Sequence, residues 1–252
     1  RMASNRFTRL PEVVLHLPQL AWLAAAGNPF SQKSELLAHA SQALEPISYQ
    51  NLQLHELLGE GASGHIYRAA VRATGQPLAL KVFKASHTSD GTPQAELAAG
   101  LAAGAHPQLL TPLAAVTGHP QHPLAMALPL LPPALQPLAG PPSLDSCTRD
   151  VYPPGTRFAP PVAARLLAHA SAAVQHLHAR GVVHGDLYAH NLLWNPHTGD
   201  TVLSDLGAAL LTHDLPAPQV QALQQIELRA LQILQQEVQA RVVDVPPAAQ
   251  AA

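Results

Sequence analysis

The stretch Gly181-Val-Val-His-Gly-Asp-Leu-Tyr-Ala-His-Asn-Leu-Leu-Trp194 decides the fold, because it sets a polar loop between two apolar anchors. Asp186 stands five residues before Asn191, and a second acid follows at Asp205-Leu-Gly207. Phosphoryl transfer to a hydroxyl needs a carboxylate that orients the hydroxyl and accepts its proton, and an amide and a second carboxylate that hold magnesium. The stretch therefore predicts Asp186 as the base and Asn191 and Asp205 as metal ligands. A capped turn before a strand is the alternative for Asp186 and Asn191, since both residue types favour turns.

A glycine-rich segment lies upstream, where such a reaction needs a nucleotide-binding half. Alternation over 52–58 predicts a strand that runs into Gly59, Gly61 and Gly64, and a second alternating segment follows. Glycines let the backbone bend tightly and bring its N–H groups against phosphate oxygens. The same triplet opens dinucleotide-binding units when a helix follows it. Here the turn Thr74-Gly75 favours a β-hairpin instead.

Composition limits the class of protein. The 252 residues are 47% hydrophobic, enough for one two-lobed domain or two small ones, and a net charge of −2 excludes a global basic footprint for nucleic acid or acidic lipid. The single cysteine, Cys147, excludes an internal disulfide, and we expect an inert thiol in a reducing, cytoplasmic setting. Ten prolines interrupt the uncharged stretch 107–144, so no membrane-spanning helix is expected there, and no signal peptide is visible.

A third predicted strand, Leu78-Ala-Leu-Lys81-Val-Phe-Lys84, and a helix from Thr92 follow the hairpin. Lys81 either points outward on an edge strand or enters a phosphate site, whereas we expect Lys84 to be solvated. Glu96 is the only acid of the predicted helix. Together with the glycine triplet and the 181–194 loop, these motifs resemble the protein-kinase superfamily.

The resemblance implies an α+β fold of two lobes: a small antiparallel sheet with one helix, then a mostly helical, shortened second lobe. It implies ATP and Mg²⁺ as cofactors and a catalytic pairing of Lys81 with Glu96 beside Asp186. We expect His184 to fix the catalytic loop from beneath, and Glu227 to be the acid on the central helix of the second lobe. The implied adenine contacts, near a hinge at 127–130, are Leu58, Ile66 and Ala79.

The beginning of the chain resembles a leucine-rich repeat. Asn5 and Asn28 are separated by 23 residues, within the period of such repeats, and leucines recur between them. In a repeat of this kind the leucines fill the core and the asparagine bonds the backbone of the turn. The alternative is an amphipathic helix from Glu12 to Ala26. The predicted segments are 1–30, a terminal repeat; 31–46, a linker with a helix over 31–44; 47–128, the first lobe; and 129–252, the second lobe.

The motifs together resemble bacterial leucine-rich-repeat serine/threonine protein kinases, in which upstream repeats would recruit a protein substrate. Four departures stand against that pattern. Gly185 replaces the arginine before the catalytic acid, Tyr188 replaces a lysine, and Leu206 replaces a phenylalanine. No Ala-Pro-Glu motif lies between Asp205 and Glu227, so we expect a reduced platform for peptide docking.

Three functions remain in competition at this point. The first is a protein kinase, for which the resemblance implies serine or threonine as the acceptor. The second is a small-molecule kinase, because His-Gly-Asp-Leu and a short activation segment also resemble aminoglycoside and choline phosphotransferases. The third is a nucleotide-binding pseudokinase scaffold, which retention of every predicted catalytic residue disfavours.

Overall fold

A computed structural model describes residues 2–41, 44–61, 63–87, 90–121, 124–146 and 149–243. Cys147, for which we expect an inert thiol, lies outside these residues, as does Ser89 of the Ser-Asp-Gly turn. The helices of the described chain are α1 (Glu12–Leu15), α2 (Pro29–Ser41), α3 (Pro93–Ala103), α4 (Pro160–Ala179) and α5 (Ala217–Gln239). None of these helices is long and apolar enough to cross a membrane.

The strands form three sheets, of which the largest builds the first lobe. Its order is β1-β5-β6-β4-β3-β2, and every pair is antiparallel except β1 with β5. The smaller sheets are β10-β9-β7 and β11-β8 in the second lobe. The strands are β1 (Ile47–Ser48), β2 (Leu52–Glu60), β3 (Gly64–Val71), β4 (Pro77–Phe83), β5 (Ala114–Thr117), β6 (Ala125–Leu128), β7 (Gln136–Pro137), β8 (Val182–Val183), β9 (Leu192–Trp194), β10 (Thr201–Leu203) and β11 (Leu210–Leu211).

The alternation of side chains along β4 determines the face of the sheet on which Lys81 lies. Successive side chains of a strand point to opposite faces. Leu78, Leu80 and Val82 therefore enter the core of the sheet, while Ala79 and Phe83 join an apolar cluster on the other face, which is also the face of Lys81. Since β4 lies between β3 and β6, the edge-strand alternative for Lys81 is wrong.

The second lobe is built around α4 and α5. Helix α4 begins at two prolines and ends just before Gly181, whose φ of 65° suits the end of a helix. Its buried face carries Leu166, Ala170, Val174 and Leu177, at helical spacing, and packs into the main apolar core of the molecule. Together the two lobes confirm the predicted α+β bilobal fold.

Residues 2–28 form a coil against the second lobe, and α1 is the only helix within these described residues. The alternative of one helix from Glu12 to Ala26 is wrong, because Pro18 lacks an amide hydrogen and disfavours helical geometry in the residue before it. Leu10, Leu15 and Leu23 are buried against apolar residues of β8, β11 and α5. Val13 and Leu17 are exposed, although leucines of such a repeat are expected to fill the core.

Hydrogen bonds link the two ends of this coil. The amides of Met2 and Ser4 donate to the carbonyls of Ala24 and Ala26 at 2.8 and 2.9 Å. Nδ2 of Asn28 donates to the Ala25 carbonyl at 2.8 Å, the kind of bond expected of a repeat asparagine. The assignment of 1–30 to a leucine-rich repeat stays a prediction. The helix predicted over 31–44 corresponds to α2, which starts two residues earlier than predicted.

Candidate active site

A cleft of about 1030 Å³ separates the two lobes. The predicted site residues that line it are Gly61, Gly64, Ile66, Lys81, Glu96, Asp186, Asn191 and Asp205. Of the remaining predicted nucleotide contacts, Leu58, Gly59 and Ala79 are not among the described lining residues. Leu58 is half-exposed on β2, and Ala79 packs into the apolar cluster behind the cleft wall. Ile66 lines the cleft, and the assignment of Leu58, Gly59 and Ala79 as nucleotide contacts stays a prediction.

Met126 and Leu128 of β6 also line the cleft. They stand directly opposite Lys81 and Ala79 across the ladder. Cross-strand partners share one face of a sheet, so side chains opposite a functional lysine line the same cavity. Sequence reasoning missed both residues, because the register of β4 with β6 is not visible in the sequence.

Lys81 and Glu96 form a buried ion pair across the first lobe. Nζ of Lys81 lies 2.5 Å from Oε1 of Glu96, and both side chains are less than a tenth exposed. Thr92 caps α3 by accepting from the Ala95 amide, which fixes the turn of helix that carries Glu96. Burial alone would lower the pKa of Lys81, but the carboxylates of Glu96 and Asp205 raise it above its usual value. Burial raises the pKa of Glu96 to about 7.

Asp205 approaches the same lysine from the second lobe. Its Oδ1 lies 3.6 Å from Nζ of Lys81 and accepts a hydrogen bond of 3.1 Å from the Gly207 amide. Its backbone is left-handed, with φ 57°, a conformation that few residues other than glycine adopt. Although burial opposes ionisation, Lys81 and the Gly207 amide hold the pKa of Asp205 below its usual value. Asp205 is therefore an ionised carboxylate at the mouth of the cleft.

Asp186 and Asn191 are joined at the floor of the cleft. Nδ2 of Asn191 donates to the backbone carbonyl of Asp186 at 2.8 Å and to its Oδ2 at 3.0 Å. The amide oxygen of Asn191 therefore faces away from Asp186. Amide and carboxylate oxygens are the donors that magnesium prefers, so Asn191 and Asp205 fit the predicted ligand pair. Burial raises the pKa of Asp186, and His184 and His190 partly oppose that shift.

Two buried residues support the catalytic loop. His184 is fully buried; its Nδ1 accepts from the Asp186 amide at 3.3 Å, and its Nε2 lies 2.9 Å from the Ser204 carbonyl. Oε1 of Glu227 accepts from the Gly185 amide at 2.9 Å, while its Oε2 lies 2.7 Å from Nε2 of His178. The structure thus places both residues as the sequence predicts, His184 beneath the loop and Glu227 on the central helix.

Asp150 and His190 form a contact that sequence reasoning missed. Oδ1 of Asp150 lies 2.7 Å from Nδ1 of His190, and its other oxygen accepts from the Ala189 amide. Nε2 of His190 lies 3.8 Å from Oδ2 of Asp186. Asp150 thereby orders the turn that leads to Asn191. Forty residues separate Asp150 from His190, so no local pattern marks the pair.

Lys84 is exposed directly after β4, as predicted, and its side chain also makes two contacts. Its Nζ donates to Oε1 of Glu60 at 2.5 Å and to the Gly61 carbonyl at 3.0 Å. The Gly61 amide in turn donates to the Gly64 carbonyl at 2.9 Å. Lys84 therefore ties the glycine-rich turn to the end of β4.

Comparison with known proteins agrees with this geometry. Residues 52–245 match the protein kinase domain family. The chain is also similar to CBL-interacting protein kinase 22 of Oryza sativa subsp. japonica, with 32% identity over 164 residues, which is 62% of this chain and 35% of the rice protein. The chain thus spans about a third of the length of that relative. Since the family covers well over half of its residues, and the ion pair and catalytic loop lie within the match, the chain belongs to the protein kinase domain family.

Proposed function

We propose that the chain is an ATP- and magnesium-dependent phosphotransferase of the protein-kinase type, which transfers the γ-phosphate to a serine or threonine hydroxyl of a protein. One observation carries this proposal. A single cleft is lined by the Lys81–Glu96 pair, the ionised Asp205, Asn191 and Asp186. These groups come from both lobes and from widely separated parts of the sequence, yet they are the set that phosphoryl transfer requires.

Each residue has a chemical role in this proposal. Lys81, held by Glu96, places a fixed positive charge for the phosphates, and the amides of the glycine-rich turn add donors. Bound magnesium shields the phosphate charge, and Asn191 and Asp205 are the residues that would hold it. Asp186 orients the acceptor hydroxyl and takes its proton. Its raised pKa makes it a better proton acceptor than an ordinary aspartate.

The proposed protein acceptor rests on family membership and on the start of the chain. The rice relative is named as a protein kinase. We extend the proposal to a cytoplasmic enzyme whose residues 1–30 end a leucine-rich array that recruits the substrate. The linkage of Met2 and Ser4 to Ala24 and Ala26 supports a coil with the repeat period.

A small-molecule kinase is the second candidate, and a specific observation favours it. Only residues 206–216 separate Asp205 from α5, and they include the short turn at Leu206–Ala208 and strand β11. So short a segment leaves little surface for an extended peptide. A compact alcohol needs no such surface.

The test is transfer of label from γ-labelled ATP by the purified chain, with generic protein substrates and small alcohols in parallel. We expect magnesium-dependent label on serine or threonine of a protein substrate, and no label when magnesium is chelated. Label on the alcohols alone would replace the protein acceptor by a small molecule. ATP binding without transfer to either class would contradict catalysis and leave a nucleotide-binding scaffold.

A further inference from the structure

The peptide groups on both sides of Asp186 are held by the N-terminal coil. The Leu23 amide donates to the Gly185 carbonyl at 3.0 Å. Nε1 of Trp22 donates to the Leu187 carbonyl at 2.9 Å. The two carbonyls thus flank the proposed catalytic base, and both accept from neighbouring residues of a segment that lies outside the kinase family match, which begins at residue 52.

Trp22 also holds the side chain next to this loop. Its ring stacks on Tyr188 with centroids 4.3 Å apart and planes 7° from parallel. Tyr188 in turn stacks on His190 at 5.3 Å, and both line the cleft. An offset aromatic stack of this kind adds to the burial of the rings and restricts their orientation. Trp22 therefore contacts the catalytic loop through a hydrogen bond and a stack.

The absence of a side chain at Gly185 allows the backbone of the coil to approach the catalytic loop closely. Its φ is 78°, and a Cβ added there would lie 2.7 Å from the Ala208 carbonyl oxygen and 2.9 Å from the Leu23 carbonyl oxygen. No larger side chain fits between those two backbones without moving one of them. The glycine thus stands where the coil approaches most closely, at the position at which the resemblance expected an arginine.

The coil has its own anchor on the second lobe. Nε of Arg229, on α5, donates to the Leu20 carbonyl at 2.7 Å. Leu10, Leu15 and Leu23 bury apolar surface against the same lobe. The position of Trp22 is therefore set by the lobe that carries the loop, which makes the coil a fixed part of the site.

We propose that Trp22 is a positioning residue for phosphoryl transfer, and that docking of residues 2–28 holds the loop of Asp186 in its working geometry. This inference rests on the proposed kinase function. It goes beyond that function by assigning a role in the reaction to a segment outside the family match. In this chain the loop is held by a contact within the molecule, next to Gly185, which stands where the arginine is expected.

The experiment compares Trp22→Ala, Trp22→Phe and Val13→Ala with the parent protein. Val13 lies on α1 of the same coil and is 72% exposed, so its variant is the matched control. A displacement of the base by about 1 Å costs on the order of 100-fold in rate, so we expect kcat of Trp22→Ala to fall about 10- to 100-fold. KM for ATP should stay unchanged. Trp22→Phe retains the stack and loses one hydrogen bond, so its kcat should fall only about 3- to 10-fold.

Two further measurements keep the proposal testable if Trp22→Ala misfolds or if the parent protein transfers no phosphate. Arg229→Met loosens the coil from outside the cleft and should also lower kcat at unchanged KM for ATP. Hydrogen exchange of the amides of Gly185–Asn191 should be about tenfold faster in Trp22→Ala and unchanged in Val13→Ala. This readout needs no activity, so it decides the inference even if the parent transfers no phosphate. Unchanged exchange in Trp22→Ala, or a kcat equal to that of the parent, would overturn the proposal.

Discussion

Replacing Glu227 by leucine tests how strongly the second lobe holds the catalytic loop. Glu227 is only 3% exposed, and its carboxylate accepts from the Gly185 amide and contacts His178. Leaving a buried amide without an acceptor costs about 1–3 kcal/mol, and the lost contact with His178 adds about 0.5–1.5 kcal/mol. Leucine is of similar size, so little cavity energy is added. The free energy of unfolding should therefore fall by about 1.5–4.5 kcal/mol.

Urea denaturation measures this loss. With an m-value of about 2–3 kcal/mol/M, the midpoint should fall by roughly 1 M. Gln225→Leu, at an exposed position of the same helix, is the control and should change stability by less than about 0.5 kcal/mol. Glu227→Gln retains an acceptor for the Gly185 amide and should lie between the parent and Glu227→Leu. A midpoint for Glu227→Leu equal to that of the Gln225 control would refute the reasoning.

Two further predictions follow from the first lobe. Burial raises the pKa of Glu96 from 4.5 to about 7, so its contribution to stability is present below pH 4.5 and is lost as pH rises towards 7. The urea midpoint of Glu96→Gln should lack this decline between about pH 5 and 7, and an identical pH profile in parent and variant would contradict it. A Cβ at Gly64 would lie 2.4 Å from the Val82 carbonyl oxygen, whereas one at Gly61 meets nothing within 4 Å. Gly64→Ala should therefore destabilise the fold by about 1–3 kcal/mol. Gly61→Ala should leave the melting temperature unchanged and weaken ATP binding. Equal melting temperatures for the two variants would count against the close approach of Gly64 to Val82.

The catalytic loop and the lysine strand were predictable because their signals are local. Asp186 and Asn191 lie five residues apart, and that spacing closes one turn with the two side chains in contact. Alternation along β4 likewise predicts that Lys81 leaves the core of the sheet. Thr92 is a residue type that favours the N-cap position, so it indicates the start of α3 and places Glu96 in the first turn.

The remaining contacts depend on chain segments that meet only in the folded molecule. Met126 faces the cleft because of its register with Lys81, and Asp150 reaches His190 across forty residues. Trp22 is 165 residues from its acceptor, Leu187. Neither periodicity nor spacing encodes such contacts. The same reason explains why the contact of Lys84 with Glu60, at the end of β2, was not predicted.

We propose that one cleft brings a base, a lysine and two magnesium ligands together around a nucleotide. Single-turnover transfer from γ-labelled ATP, measured with Asp186→Ala alongside the parent, tests it most directly. Loss of the base should remove on the order of 100- to 10,000-fold of the rate while the affinity for ATP, measured by titration, stays unchanged. Equal transfer rates in Asp186→Ala and the parent would show that Asp186 is not the base.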